Sequence, residues 1–259
     1  MLWPWSSAVI SRETVVDAER RNERRSELKE RLTTVLERIE RARREDGRNG
    51  DTDPVSLVVV TKTFPASDVG LLAELGVRDV GENRDQEAKA KVAELPDVNV
   101  RWHMIGRLQR NKAASVAGWA DVVESVDRLE LADALDSAVT RRGRGPLDVL
   151  VQVNLDPFPE QGRGGVAPDG AMELAEKIAS TQTLRLAGVM AVAPHPDTGV
   201  DPAAAFARLR EVADRIQGTW PTARTISAGM SHDLEAAISH GATQVRVGGA
   251  ILGERPRVQ

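Results

Sequence analysis

Beyond residue 50 the chain alternates short apolar runs with amphipathic stretches. The runs at 57–61, 79–81, 100–105, 121–124, 147–154, 185–190, 225–228 and 244–247 have the length and β-branched content of buried strands. The intervening segments 66–75, 84–94, 109–118, 128–141, 169–180, 202–217 and 231–240 carry apolar residues at helical spacing. Strands separated by helices pair in parallel, because parallel neighbours need long crossovers. Eight such strands are the number that closes a barrel, so the pattern predicts an α/β chain folded as a single (β/α)8 barrel. A doubly wound open sheet is the alternative.

Ahead of the first strand lies a densely charged stretch. From Arg12 to Arg44 the residues Leu28, Leu32, Val35, Leu36 and Ile39 recur at steps of three and four, one stripe on a helix. Glu27 with Arg31, Glu37 with Arg41 and Glu40 with Arg44 stand four apart in the favourable order, each contributing about 0.3 to 0.5 kcal/mol. Charge here marks a solvated face. The breakers Asp46-Gly47-Arg48-Asn49-Gly50 should end the helix, which can then serve as the barrel's missing eighth. A flexible extension is expected over residues 1–20 and the barrel domain over 21–259.

Composition excludes several chemistries. Of 259 residues 41% are hydrophobic and 29% charged, enough for a sizeable core in an ordinary globular protein. The chain holds no cysteine, which removes disulfides, thiolate nucleophiles and cysteine zinc sites, and its four histidines, at 103, 195, 232 and 240, lack metal-ligand spacing. It also holds no tyrosine, so a phenol cannot act as acid or base. The net charge of −4, with both signs interleaved, offers no electrostatic footprint for nucleic acid. No apolar run is long enough to cross a membrane, and Met1-Leu2-Trp3-Pro4-Trp5 does not open a secretion signal; a cytoplasmic protein is expected.

In such barrels the chemistry sits at the C-terminal ends of the strands. The first strand runs directly into Lys62, where apolar neighbours would disfavour the charged amine and suit it to nucleophilic use; a lysine reaching from a strand end into water is the plainer reading. Strand seven ends in Ser227-Ala228-Gly229-Met230-Ser231 and strand eight in Arg246-Val247-Gly248-Gly249-Ala250. Small residues there let backbone N–H groups approach a phosphate, at the two loops where barrels commonly hold one. A lysine facing a phosphate site suggests a Schiff base with a phosphorylated carbonyl compound, either a sugar phosphate or pyridoxal 5′-phosphate.

The remaining strand ends carry a resemblance. In order along the chain stand V-V-V-T-K-T, G-E-N-R-D-Q-E, W-H-M-I-G-R-L-Q-R-N-K, S-V-D-R, V-L-V-Q-V-N, G-V-M-A, S-A-G-M-S-H-D-L-E-A-A-I and V-R-V-G-G-A-I-L-G. Over about residues 25 to 255 the sequence resembles the pyridoxal 5′-phosphate homeostasis family, whose fold is that of the alanine racemase N-terminal barrel.

The resemblance implies that Lys62 carries the cofactor as a Schiff base. It assigns the phosphate to Ser227, Ser231, Gly248 and Gly249, the ring nitrogen to Arg246, the neighbourhood of the phenolic oxygen to Asn83, and the pocket lining to His103 and Met230. An arginine only donates, so it favours an unprotonated ring nitrogen and weakens the cofactor's electron sink. The implied role is reversible cofactor carriage in vitamin B6 homeostasis by a monomer, with cofactor-dependent apoenzymes as recipients. A slow racemase-like or transaminase-like enzyme and a Schiff-base aldolase remain as alternatives. Two positions depart from the family: Gly249 replaces a threonine, losing a hydroxyl, and Arg163 replaces a lysine that precedes glycine, which puts a second-lysine transfer route in doubt.

Overall fold

A computed structural model describes residues 12–48, 54–157 and 164–254. Parallel strands β1 (Ser56–Val60), β2 (Asp79–Glu82), β3 (Arg101–Met104), β4 (Val122–Val126), β5 (Leu147–Gln152), β6 (Leu184–Met190), β7 (Thr225–Ser227) and β8 (Gln244–Val247) close into one barrel in chain order. Closure is made by β1 on β8, from Ser56 opposite Gln244 to Val59 opposite Val247, which excludes the open sheet. Helices α2 (Ala66–Glu74), α3 (Asp85–Glu94), α4 (Ala113–Val116), α5 (Leu129–Arg142), α6 (Ala171–Ala179), α7 (Pro202–Thr219) and α8 (Leu234–Ser239) follow strands one to seven, and the short α9 (Gly249–Leu252) follows β8.

The period of two along each strand sorts its side chains. Val59, Val80, Trp102, Met104, Val123, Val149, Val189, Val245 and Val247 belong to the apolar shell between barrel and helices. The alternate residues of β1, β3, β4, β7 and β8 face the interior, and there the barrel departs from an apolar filling.

Helix α1 (Arg12–Glu45) packs on α8, α9 and α2 and so takes the eighth helix's place. Its beginning at Arg12 makes residues 12–20 helical, where the sequence pattern had suggested extension; residues 1–11 lie outside the described residues. Leu28, Leu32, Val35 and Ile39 are buried, whereas Leu36 is 46% exposed, because the packed arc of the helix is narrower than the apolar stripe. Arg24 binds both carboxylate oxygens of Asp68 on α2 and the Leu252 carbonyl on α9. Arg38 chelates Glu235 on α8. Of the expected pairs along α1, Arg31–Glu27 closes at 2.6 Å and Arg44–Glu40 at 3.5 Å; Glu37–Arg41 is not among the ion pairs of the described residues.

Candidate active site

Lys62 stands two residues beyond the end of β1, on the same parity as Val58 and Val60. The intervening Thr61 is fully buried on the opposite face, where its hydroxyl donates to Glu82 Oε1 at 2.6 Å. Lys62 follows in the turn at the C-terminal end of β1 and is half-buried there. The next residue, Thr63, has φ +70°, a left-handed conformation that a β-branched side chain tolerates poorly, at a cost of about 1–3 kcal/mol. It persists because the Thr63 N–H donates to the Glu87 carboxylate on α3.

Beside Lys62 in the closed barrel lies the end of β8, with the end of β7 next to it. Gln244, Arg246 and Gly248 alternate on the inner face of β8, and a Cβ at Gly248 would stand 2.9 Å from the Val60 carbonyl, so only glycine lets β8 pass this close to β1. Next to it Gly249 has open space around its Cβ position. The first N–H groups of α9 have no acceptor within the helix and are available at this rim. In the β7 loop Gly229 has φ +92° and accepts from the Arg246 N–H at 2.9 Å. Met230 is 37% exposed at the rim, its N–H bound to Asp233, and Ser231 is half-buried, its carbonyl receiving Arg38. Asn83 is half-buried beyond β2 and does not cap α3, whose N-cap position is Arg84.

Two expectations need correction. The Ser227 hydroxyl is not free for a phosphate: it donates to Glu124 Oε2 at 2.6 Å and accepts from Gln244 Nε2 and Arg246 Nη1 at 2.9 and 2.6 Å, with no exposure. His103 does not line the mouth either. Its ring is 1% exposed, with Nδ1 2.7 Å from Glu124 Oε1 and Nε2 2.9 Å from Asp79 Oδ1, and Ile105 is the next inward residue above it. Both residues belong to a buried polar network that spans the barrel from Asp79 to Arg246.

The network's charges are settled by its contacts. Burial would push the His103 pKa down, but hydrogen bonds from Asp79 and Glu124 outweigh it and hold the imidazole above its ordinary range. Burial would push Glu124 up, but the hydrogen bond and charge of His103, the charge of Arg246 and the Ser227 hydroxyl hold it below. Arg246 itself is 4% exposed; Nη1 donates to the Ser227 carbonyl at 2.7 Å and Nη2 to the Ala191 carbonyl at 2.8 Å. Both protons of Nη1 and one of Nη2 are thus engaged, and Nε is among the donors for which the described residues show no hydrogen bond.

Sequence reasoning passed over Glu124 and Gln244, although an acid inside the apolar run V-V-E-S-V was a visible signal. It also passed over Glu87 and Lys91, whose signal was an acid and a base four apart on one helix. A cavity of about 790 Å³ opens among Asn83, Arg84, Glu87, Arg107, Lys112 and Arg128, so it borders the strand-two end that carries Asn83. Arg163 lies outside the described residues.

Residues 49–256 match the family model of the alanine racemase N-terminal domain. A pyridoxal phosphate homeostasis protein of Mycobacterium tuberculosis is 42% identical, over 90% of this chain and 95% of its own length. The chain belongs to the pyridoxal phosphate homeostasis protein family. The family's protein from Pseudomonas aeruginosa is likewise 42% identical, over 89% of this chain and 96% of its own. Among solved structures, PipY of Synechococcus elongatus with PLP bound superposes with a TM-score of 0.74 at 33% identity, covering 87% of this chain and all of that one. In this chain the closed barrel stands as the sequence pattern suggested.

Proposed function

We propose that this chain holds pyridoxal 5′-phosphate reversibly at the barrel mouth and serves intracellular vitamin B6 homeostasis rather than turnover. The observation that supports the reading is Lys62 just beyond the end of β1, beside the glycine-built end of β8. The residues fit the cofactor: Gly248 cannot bear a Cβ, Gly249 leaves open space, and unsatisfied N–H groups at the start of α9 suit a phosphate. When bound, the cofactor supplies an aldehyde that condenses with amines and a ring that withdraws electrons.

Lys62 would hold the cofactor through its Nζ, a hold that water or a competing amine could undo, so release would need no further apparatus. Gly248, Gly249 and Ser231 would hold the phosphate, Asn83 the phenolic side of the ring, and Met230 its outer rim. Arg246 would face the ring nitrogen through Nε. A guanidinium donates and does not give up its proton, so it leaves that nitrogen unprotonated and the electron sink weak. The groups packed around Arg246 are already hydrogen-bonded to one another, and the chain has no tyrosine to act as a second base. Carriage follows more readily than racemisation.

The reading includes a cytoplasmic monomer that yields the cofactor to dependent apoenzymes. No helix among the described residues is long and apolar enough to cross a membrane, which agrees with it. The test is borohydride reduction after incubation with pyridoxal 5′-phosphate, followed by mass mapping. Modification confined to Lys62, lost in Lys62→Ala while the melting temperature is kept, is the expected result. Modification elsewhere, or none, overturns the assignment.

A further inference from the structure

The two peptide groups that flank Lys62 are held by one ion pair behind the barrel wall. The carbonyl of Thr61 accepts from Lys91 Nζ at 2.8 Å, and the N–H of Thr63 donates to Glu87 Oε1. Lys91 Nζ and Glu87 Oε1 are themselves 2.8 Å apart. Glu82 completes the set, receiving Lys91 at 2.7 Å and the Thr61 hydroxyl at 2.6 Å on the same oxygen. Thr61, Glu82 and Lys91 are all buried, Glu87 only partly.

This arrangement is more than a surface salt bridge. Lys91 has three acceptors for its three protons, so its ammonium has one orientation. Thr63 holds a φ of +70°, which a β-branched residue adopts at a cost, beside this hydrogen bond from its N–H to Glu87. Lys62 lies between the two anchored peptides. The ion pair therefore fixes the direction in which the lysine leaves the backbone without touching it.

We infer that Glu82, Glu87 and Lys91 are positioning residues for Lys62, a backbone clamp that aims its amine into the barrel mouth. The inference rests on the proposed cofactor role of Lys62 for its purpose, though not for its geometry. Burial pushes the Glu82 carboxyl above its ordinary range, opposed by the hydrogen bonds of Lys91 and Thr61.

The test separates aim from stability and needs no cofactor for its first arm. In the cofactor-free protein, Thr63 amide hydrogen exchange and the rate at which acetic anhydride labels Lys62 are measured for wild type, Glu87→Ala, Glu87→Asp and Lys91→Met. Lys91→Met is also made together with Glu82→Gln, because a lone buried acid could unfold the single variant. The expected result is Thr63 exchange at least about tenfold faster in Glu87→Ala, with an altered Lys62 labelling rate, at an unchanged melting temperature; Glu87→Asp restores part of the protection. In the second arm, trapping of pyridoxal 5′-phosphate on Lys62 by borohydride should slow by about tenfold or more in the same variants, as loss of orientation predicts. Unchanged exchange and labelling in stably folded Glu87→Ala and in the Glu82→Gln, Lys91→Met protein would overturn the clamp. Failure of wild type to trap the cofactor on Lys62 would instead sink the functional reading and leave the first arm standing.

Discussion

His103 Nδ1 stands 2.7 Å from Glu124 Oε1 in the closed centre of the barrel. An ion pair this deep costs solvation on both sides, and it holds because Asp79, Ser227, Gln244 and Arg246 complete the hydrogen bonding around it. The pair joins β3 to β4 and, through Ser227 and Gln244, to β7 and β8 across the interior. It is a strut of the barrel and a support for Arg246.

The pair gives stability a defined pH dependence. His103 is held above its ordinary value of 6.5, so its contribution is complete below that value and lost as pH rises through the folded pKa. Glu124 is held below its ordinary 4.5, so its contribution is complete above that value and lost as pH falls through the folded pKa. The two overlap fully between 4.5 and 6.5. Thermal melts from about pH 5 to about pH 9 should show wild type losing more stability toward alkaline pH than His103→Gln, which should itself be weaker by roughly 3–5 kcal/mol near pH 6. Parallel curves for the two proteins would refute the charge assignment.

Adjacent glycines at the end of β8 should respond oppositely to substitution. Gly248→Ala puts a methyl 2.9 Å from the Val60 carbonyl, a backbone atom that cannot move aside without shifting β1. A loss of about 1–3 kcal/mol in stability and weaker cofactor retention are expected. Gly249→Thr meets nothing within 4 Å and supplies a hydroxyl at the rim. It should leave the melting temperature unchanged and tighten cofactor binding by up to about tenfold, the equivalent of one added hydrogen bond. Titration of cofactor absorbance in both variants checks this, and equal effects would show that the rim does not meet the phosphate.

The helix that replaces the eighth helix should be structural along one arc only. Leu28 has no exposed surface, so Leu28→Ala should cost about 2–5 kcal/mol. Leu36, 46% exposed on the same apolar stripe, should lose no more than about 0.5 kcal/mol on truncation. Urea midpoints of the two variants decide; similar losses would mean that α1 is held by its whole stripe.

The barrel and the residues at its mouth were legible in the chain, while the partnerships inside it were not. Strand alternation located all eight strands to within a few residues, because parity and run length are local properties. Lys62 could be named because it follows a β-branched run directly, and Gly248 because small residues end a strand. Ser227 and His103 were assigned to the ligand by the family resemblance, and nothing local in the sequence shows that an acid in another strand already binds them.

Sequence by itself determined the order of strands and helices, the place of Lys62 directly after the first strand, and the absence of thiol and phenol side chains. Only the tertiary structure decided which polar groups satisfy one another. Glu124 meets Ser227 across 103 residues and Gln244 across 120, and those meetings exist only once β8 closes on β1 in its particular register. The physical reason is that side-chain periodicity is set within a few residues, whereas the saturation of a buried donor or acceptor depends on whichever strand closure brings opposite it.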